Sequence, residues 1–300
     1  MDTKPLTGKV AVVAGATRGA GRGIAVMLGA AGATVYCTGR STREGRSDLN
    51  RPETIEETAE MVTARGGVGI PVRVDHTQEH EVEALFKRVD EEQNGQLDIL
   101  VNDIWGGEQY VQWGVPFWEH SLTDGLLLQE RSVRAHLITS YYGAPLMIRR
   151  KQGIIIEMTD GVGYSYRGQL YYSLAKISPI HLATAMAEDL RPFNITAVAV
   201  TPGFLRSEQM LEYYGVAEEN WRDAVEKEPH YIESETPYFV GQAVAALAAD
   251  PEVFSKSGKS LSSWRLSDEY GFIDVDGRKP HWGNYALKHG LMTKDQLGME

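Results

Sequence analysis

The sequence predicts a doubly wound α/β fold, a parallel sheet of about seven strands with helices on both faces. Two observations carry that prediction. Short β-branched apolar runs alternate with segments of helical periodicity through the first hundred residues. The first run, Val10 to Val13, feeds a turn holding Gly15, Gly19 and Gly21. Ile24 to Leu28 then reads as the start of a helix. A buried strand running into such a turn is a phosphate cradle, because glycine permits close backbone approach and the helix start favours an anion. The spacing, Gly-x3-Gly-x-Gly, differs from the commoner dinucleotide fingerprint.

The other elements follow in order. Ala33 to Thr38 reads as a second buried strand, followed by the polar loop Gly39 to Arg43. Ile55, Ala59 and Val62 keep helical spacing until Gly66 and Gly67 stop it. Val68 to Val74 is a third strand, weakened by Pro71 and ending in Asp75. Val82, Leu85, Phe86 and Val89 mark an amphipathic helix, and Leu97 to Val101 a fourth strand ending in Asn102. The regularity lapses from Trp105 to Asp124, a stretch dense in aromatics. A helix over Leu126 to Ile148, a strand over Gly153 to Met158, a helix over Tyr171 to Leu190 and a strand over Ile195 to Val200 restore it. Thr236 and Pro237 start a further helix, and Ser257 to Trp264 adds a seventh strand. No linker or repeat divides residues 1–300. One Rossmann-like domain is expected, with a substrate loop at about 204–235 and a C-terminal tail at about 271–300.

Composition narrows the function. The chain has 300 residues, 42% of them hydrophobic, enough for a sizeable core. A net charge of -11 argues against nucleic-acid binding, which needs a basic surface. A single cysteine, Cys37, fits a reducing compartment. The polar stretch Met1 to Lys9 does not read as a signal peptide, and no apolar run is long enough for a membrane span. A cytoplasmic protein without a membrane association is expected. The histidines His76, His120 and His136 show no ligand spacing, so no metal is assigned.

Tyr172 and Lys176 stand at i and i+4, on one helix face. An ammonium beside a phenol lowers the phenol's pKa and makes it a usable proton donor or acceptor. At this point the chain resembles the short-chain dehydrogenase/reductase family over about residues 7 to 275. Gly15, Thr17, Arg18, Gly19, Ala20 and Gly21 match the family's cofactor loop, and Asp75 its adenine-contacting acid. Asn102 matches the first residue of the Asn-Asn-Ala-Gly motif, and Tyr172 and Lys176 the catalytic Tyr-x-x-x-Lys. Pro202 and Gly203 through Ser207 match the segment beside the nicotinamide.

The resemblance implies that Tyr172 exchanges the hydroxyl proton of an alcohol/ketone pair and that Lys176 also holds the nicotinamide ribose. It further implies a small-molecule substrate and a homodimer or homotetramer. No acid follows the second strand. Arg40 stands there instead and Arg18 lies in the glycine loop, which suits the 2′-phosphate of NADP(H).

Three positions depart from the family pattern. Asp103, Ile104 and Trp105 replace Asn-Ala-Gly, and Ser132 aligns with the active-site Asn. The substrate-binding Ser falls on Thr159, 13 residues before Tyr172, or on Asp160, 12 before it. Thr159 is favoured because it needs no unusual pKa. An ionised Asp160 would repel a developing alkoxide, whereas a protonated one could donate to it.

The aromatics of the two irregular segments predict a pocket for a bulky apolar or aromatic substrate. The leading expectation is an NADP(H)-dependent oxidoreductase acting on a carbonyl/alcohol pair. The altered positions keep open a non-redox dehydratase, isomerase or cyclase using Tyr172 and Asp160. A non-catalytic NADP(H)-binding regulator is the third reading.

Overall fold

A computed structural model describes residues 4–298; the first three residues and the last two of the expected tail lie outside it. Seven parallel strands form one sheet in the order β3-β2-β1-β4-β5-β6-β7. They are β1 (Val10–Ala14), β2 (Thr34–Gly39), β3 (Val68–Arg73), β4 (Ile99–Asn102), β5 (Gly153–Met158), β6 (Ile195–Thr201) and β7 (Ser260–Ser262). The order reverses between β1 and β4. Crevices for ligands open beyond the carboxyl ends of the strands at such a switch point.

Ten α-helices accompany the sheet among the described residues. They are α1 (Gly19–Ala30), α2 (Ile55–Ala64), α3 (Glu79–Glu92), α4 (Leu122–Gln129), α5 (Ala135–Arg150), α6 (Leu170–Leu190), α7 (Glu208–Tyr214), α8 (Pro237–Ala249), α9 (Ser263–Tyr270) and α10 (Trp282–Lys288). One core packs Ala11, Val13, Val101 and Ile156 against α1, α2 and α8. The other packs Val12, Leu100 and Ile155 against α3, α5 and α6. Alternate residues of one strand thus serve opposite layers, which is why these strands read as continuous apolar runs. Burial of each such Val, Leu or Ile contributes about 1.5–3 kcal/mol.

Several boundaries differ from the sequence reading. Helix α1 begins at Gly19 rather than near Ile24, so its first turn takes in the glycines of the loop, Gly19 itself with a left-handed φ of +57. Pro71 pairs with Cys37 inside β3 and is tolerated there because β3 is an edge strand. The helix expected from Leu126 starts at Leu122, where the Ser121 hydroxyl accepts from the Asp124 N–H. It passes through a π-helical turn, Glu130–Arg134, before α5. Strand β7 stops at Ser262 because Trp264, Leu266 and Ser267 bury one face of α9 instead. No helix among the described residues is long and apolar enough to cross a membrane.

Candidate active site

The strand ends at the switch point open into a cavity of about 910 Å³. The β1–α1 turn forms its floor. Gly15 adopts φ +92, and a Cβ there would lie 2.2 Å from the Asp103 carbonyl oxygen. A Cβ on Gly21 would lie 2.3 Å from the Gly15 carbonyl oxygen. Neither position accepts a side chain without moving backbone. Thr17, Arg18, Gly19 and Ala20 line the cavity with Gly15, whereas Gly21 lies behind them and holds the turn closed.

The start of α1 carries no acid in its first turn and no side-chain cap. The Gly19 N–H instead donates to the Glu208 carboxylate of α7 at 2.8 Å. A carboxylate already stands where free N–H groups and the helix dipole favour an anion, so the donor set suits a phosphate. Arg40 and Asp75 line the same cavity at the ends of β2 and β3. Asp75 accepts from the Thr77 N–H and hydroxyl at 3.0 and 2.7 Å. Burial raises its pKa, but those bonds and the charge of Arg40 outweigh it and hold the carboxyl below its usual range.

Tyr172 and Lys176 come from the first turns of α6. Gln169 caps that helix, its side-chain oxygen accepting from the Tyr172 N–H at 2.6 Å. The Tyr172 ring lies edge-on to Trp105 and Trp113, with centroids 5.7 and 5.0 Å away. Its hydroxyl donates to Asp160 Oδ2 at 2.9 Å. Lys176 Nζ sits 4.1 Å from the Trp105 ring centroid and 5.8 Å from that of Tyr172. The expected lowering of the phenol pKa by Lys176 is therefore not what the geometry delivers. Burial first, then the charge and hydrogen bond of Asp160, push Tyr172 above its ordinary value.

Three other expected residues sit differently from their sequence reading. Thr159 lines the cavity, but its hydroxyl donates to the Lys176 backbone carbonyl and so braces α6. Asp160, not the favoured Thr159, meets Tyr172. Ser132 does not line the cavity. It is buried in the π-helical turn and donates to the Leu128 carbonyl at 2.7 Å. Asn102 also lies beneath the site, donating to Ser140 Oγ at 2.8 Å and Glu157 Oε1 at 2.6 Å. Glu157 in turn meets His136 Nδ1 at 2.5 Å, and His136 Nε2 lies 3.1 Å from the Ile104 carbonyl. This buried polar group anchors the strand end that carries Trp105. Its one sequence signal was a lone acid in the apolar run Ile154 to Met158.

Pro202, Gly203 and Ser207 line the cavity as expected, with Ser207 capping α7 through the Met210 N–H. Of the aromatics, Trp105, Trp113, Phe204, Tyr213, Trp264 and Trp282 reach the cavity beside Tyr172. Tyr214 and Trp221 are buried instead in a satellite cluster with Tyr231, and Trp118 is exposed. Met292 and Leu297, beyond α10, complete the wall. Among the described residues no three His, Cys, Asp or Glu side chains gather as a metal site.

Sequence reading missed Glu235, fully buried beneath Gly203. Its Oε2 accepts from the Gly203 N–H at 2.9 Å and the Ser263 hydroxyl at 2.6 Å. Burial pushes its pKa up to about 8. A carboxyl raised in this way is neutral in the folded protein, so its contribution is whole at low pH. It declines as pH rises from the ordinary carboxyl range towards about 8. Glu235→Gln keeps an oxygen for both donors and removes the ionisation. Its melting temperature is expected to match wild type near pH 5 and to exceed it at about pH 8, by on the order of 2–4 kcal/mol in stability. A constant difference across that range in thermal melts would refute the buried ionisation.

The sheet order, the anion-seeking start of α1 and the placement of Tyr172 and Lys176 in one cavity with it fit a nicotinamide-nucleotide-binding α/β oxidoreductase. The chain belongs to the short-chain dehydrogenase family, whose model matches residues 9–215. It is 36% identical over 298 residues to the Mus musculus dehydrogenase/reductase SDR family member 1, covering 98% of this chain and 91% of that protein. The Homo sapiens protein of the same name is 37% identical over 278 residues, covering 91% and 85%. A Mycobacterium thermoresistibile short chain dehydrogenase structure shares the fold, with a TM-score of 0.76 at 23% identity over 93% and 92% of the two chains.

Proposed function

We propose that this chain is a cytoplasmic, single-domain, NADP(H)-dependent oxidoreductase that interconverts a carbonyl and an alcohol on a bulky apolar or aromatic substrate. The observation that carries the chemistry is the Tyr172 hydroxyl, hydrogen-bonded to Asp160 inside the cavity that the glycine turn and Lys176 also line. The substrate class is supported by Trp113, Tyr213, Trp264, Trp282, Met292 and Leu297 along the wall. Assembly as a homodimer or homotetramer is supported by exposed Leu122 and Leu126 on α4, Leu137 and Tyr141 on α5, and Leu174 on α6.

When bound, the nicotinamide supplies or accepts the hydride. The chain handles the proton. In oxidation the substrate hydroxyl passes its proton to the Tyr172 oxygen as the Tyr172 proton moves to Asp160, whose exposed carboxylate returns it to water. In reduction the order reverses. Lys176 would hold the nicotinamide ribose, while Thr159 and Gln169 keep α6 in register. Asp75 would meet the adenine, and the α1 turn the pyrophosphate.

Cofactor choice rests on Arg40 and Arg18, with no acid at the end of β2. A charge-assisted hydrogen bond contributes about 1.5–3 kcal/mol, so Arg40→Ala is expected to weaken NADPH binding about tenfold or more and leave NADH nearly unchanged. Fluorescence titration reads both. Equal weakening of the two cofactors would sink the NADP assignment. The Tyr172–Asp160 contact also suits acid–base chemistry without net redox. Nicotinamide absorbance on a panel of bulky ketones and alcohols separates that reading, since it predicts product without cofactor turnover.

A further inference from the structure

Asp48 lies in the loop between β2 and α2, and donors from three separate parts of the chain converge on it. Arg40 Nη2 meets its Oδ1 at 2.9 Å. Arg131, from the π-helical turn after α4, and Gln109 Nε2, at 3.0 Å, meet its Oδ2. The Arg131 guanidinium is steadied by the Tyr110 ring, whose centroid is 5.0 Å away. Gly106 keeps the space between the arginines open. A Cβ there would lie 3.2 Å from Arg40 Nη2 and 3.6 Å from Arg131 Cδ. Arg40, Gly106 and Arg131 all line the main cavity, on the side of β2.

Two guanidinium groups gripping opposite oxygens of one carboxylate are spaced to grip a larger anion as well. We propose that Arg131 is a further clamp for the cofactor's 2′-phosphate, opposite Arg40, and that Asp48 is the internal anion the phosphate displaces. The inference rests on the NADP(H) reading above. A phosphate monoester carries about −1.5 to −2 charges near neutral pH and three acceptor oxygens, against one charge and two oxygens for Asp48. The exchange therefore favours the phosphate. A ribose 2′-hydroxyl carries no charge and leaves Asp48 in place. Asp48 thus weakens NADP(H) binding by competition while holding the two arginines in position before the cofactor arrives. Nothing in the sequence signals this, since Arg131 lies 83 positions from Asp48.

The test is direct titration of NADPH, NADH and 2′,5′-ADP into wild type, Arg131→Gln, Arg40→Ala and Asp48→Asn. Arg131→Gln is expected to weaken NADPH and 2′,5′-ADP about tenfold or more and to leave NADH within about twofold, which also shows that the variant is folded. Asp48→Asn is expected to tighten NADPH and 2′,5′-ADP severalfold with NADH unchanged. If Arg40→Ala discriminates between the cofactors while Arg131→Gln binds both as wild type does, the NADP(H) reading stands and the further clamp is overturned. Equal weakening of NADPH and NADH by Arg131→Gln would reduce Arg131 to a structural residue and also overturn it. A wild type that prefers NADH, with Arg40→Ala indifferent to either cofactor, overturns the NADP(H) reading and this inference together.

Discussion

Tyr172→Phe is expected to lose about 10²–10⁴ of its turnover while folding and binding NADPH as wild type does. The ring keeps its edge-on contacts with Trp105 and Trp113, so packing at the head of α6 survives. Only the hydroxyl and its bond to Asp160 are removed. Tyr171→Phe is the control, because its ring lies against Gly125 and 4.9 Å from that of His120, away from the cavity. Steady-state rates beside cofactor titrations check the pair. An active Tyr172→Phe, or a dead Tyr171→Phe that still binds NADPH, would remove Tyr172 from its role.

Asp160→Asn is expected to slow alcohol oxidation by on the order of 10²-fold at neutral pH, because the proton leaving Tyr172 loses its acceptor. The same change should lower the pKa of Tyr172. Burial is the largest cause of its elevation and stays, but the charge of Asp160 and its hydrogen bond to the phenol follow, and both act upward. A tyrosinate absorbance titration, with Tyr172→Phe to assign the signal, reads that shift. Ketone reduction should lose a similar factor in kcat/KM, since it runs the same proton path in reverse and the variant leaves the alcohol/ketone equilibrium unchanged. Thr159→Ala should lower the melting temperature more than the rate, since its hydroxyl holds the Lys176 carbonyl. A Thr159→Ala variant that is stable but inactive would return the serine's role to Thr159.

The sequence by itself determined what short-range physics controls. Strand and helix periodicity, read over a few residues at a time, was enough to place six of the seven strands nearly to their ends and to predict a parallel sheet. The glycine turn was legible because backbone conformation is a local property, and Tyr172 and Lys176 because i and i+4 share a helix face wherever the helix lies. Boundaries slipped where a distant partner decided them, as with β7 giving way to the buried face of α9.

Which polar atom meets which was decided only by the tertiary structure. Thr159 and Asp160 are adjacent and equally plausible in sequence, yet one hydroxyl turns to the Lys176 carbonyl and the other side chain to Tyr172. Ser132 aligns with a catalytic position but folds its hydroxyl back onto its own helix. Asn102 joins Glu157, 55 positions away, rather than the cavity. Arg40 and Arg131 meet only because β2 and the turn after α4 end at the same crevice. A hydrogen bond is worth a similar small amount with any of several nearby partners. The choice among them therefore falls to distances that exist only once the sheet and its two helical layers have packed.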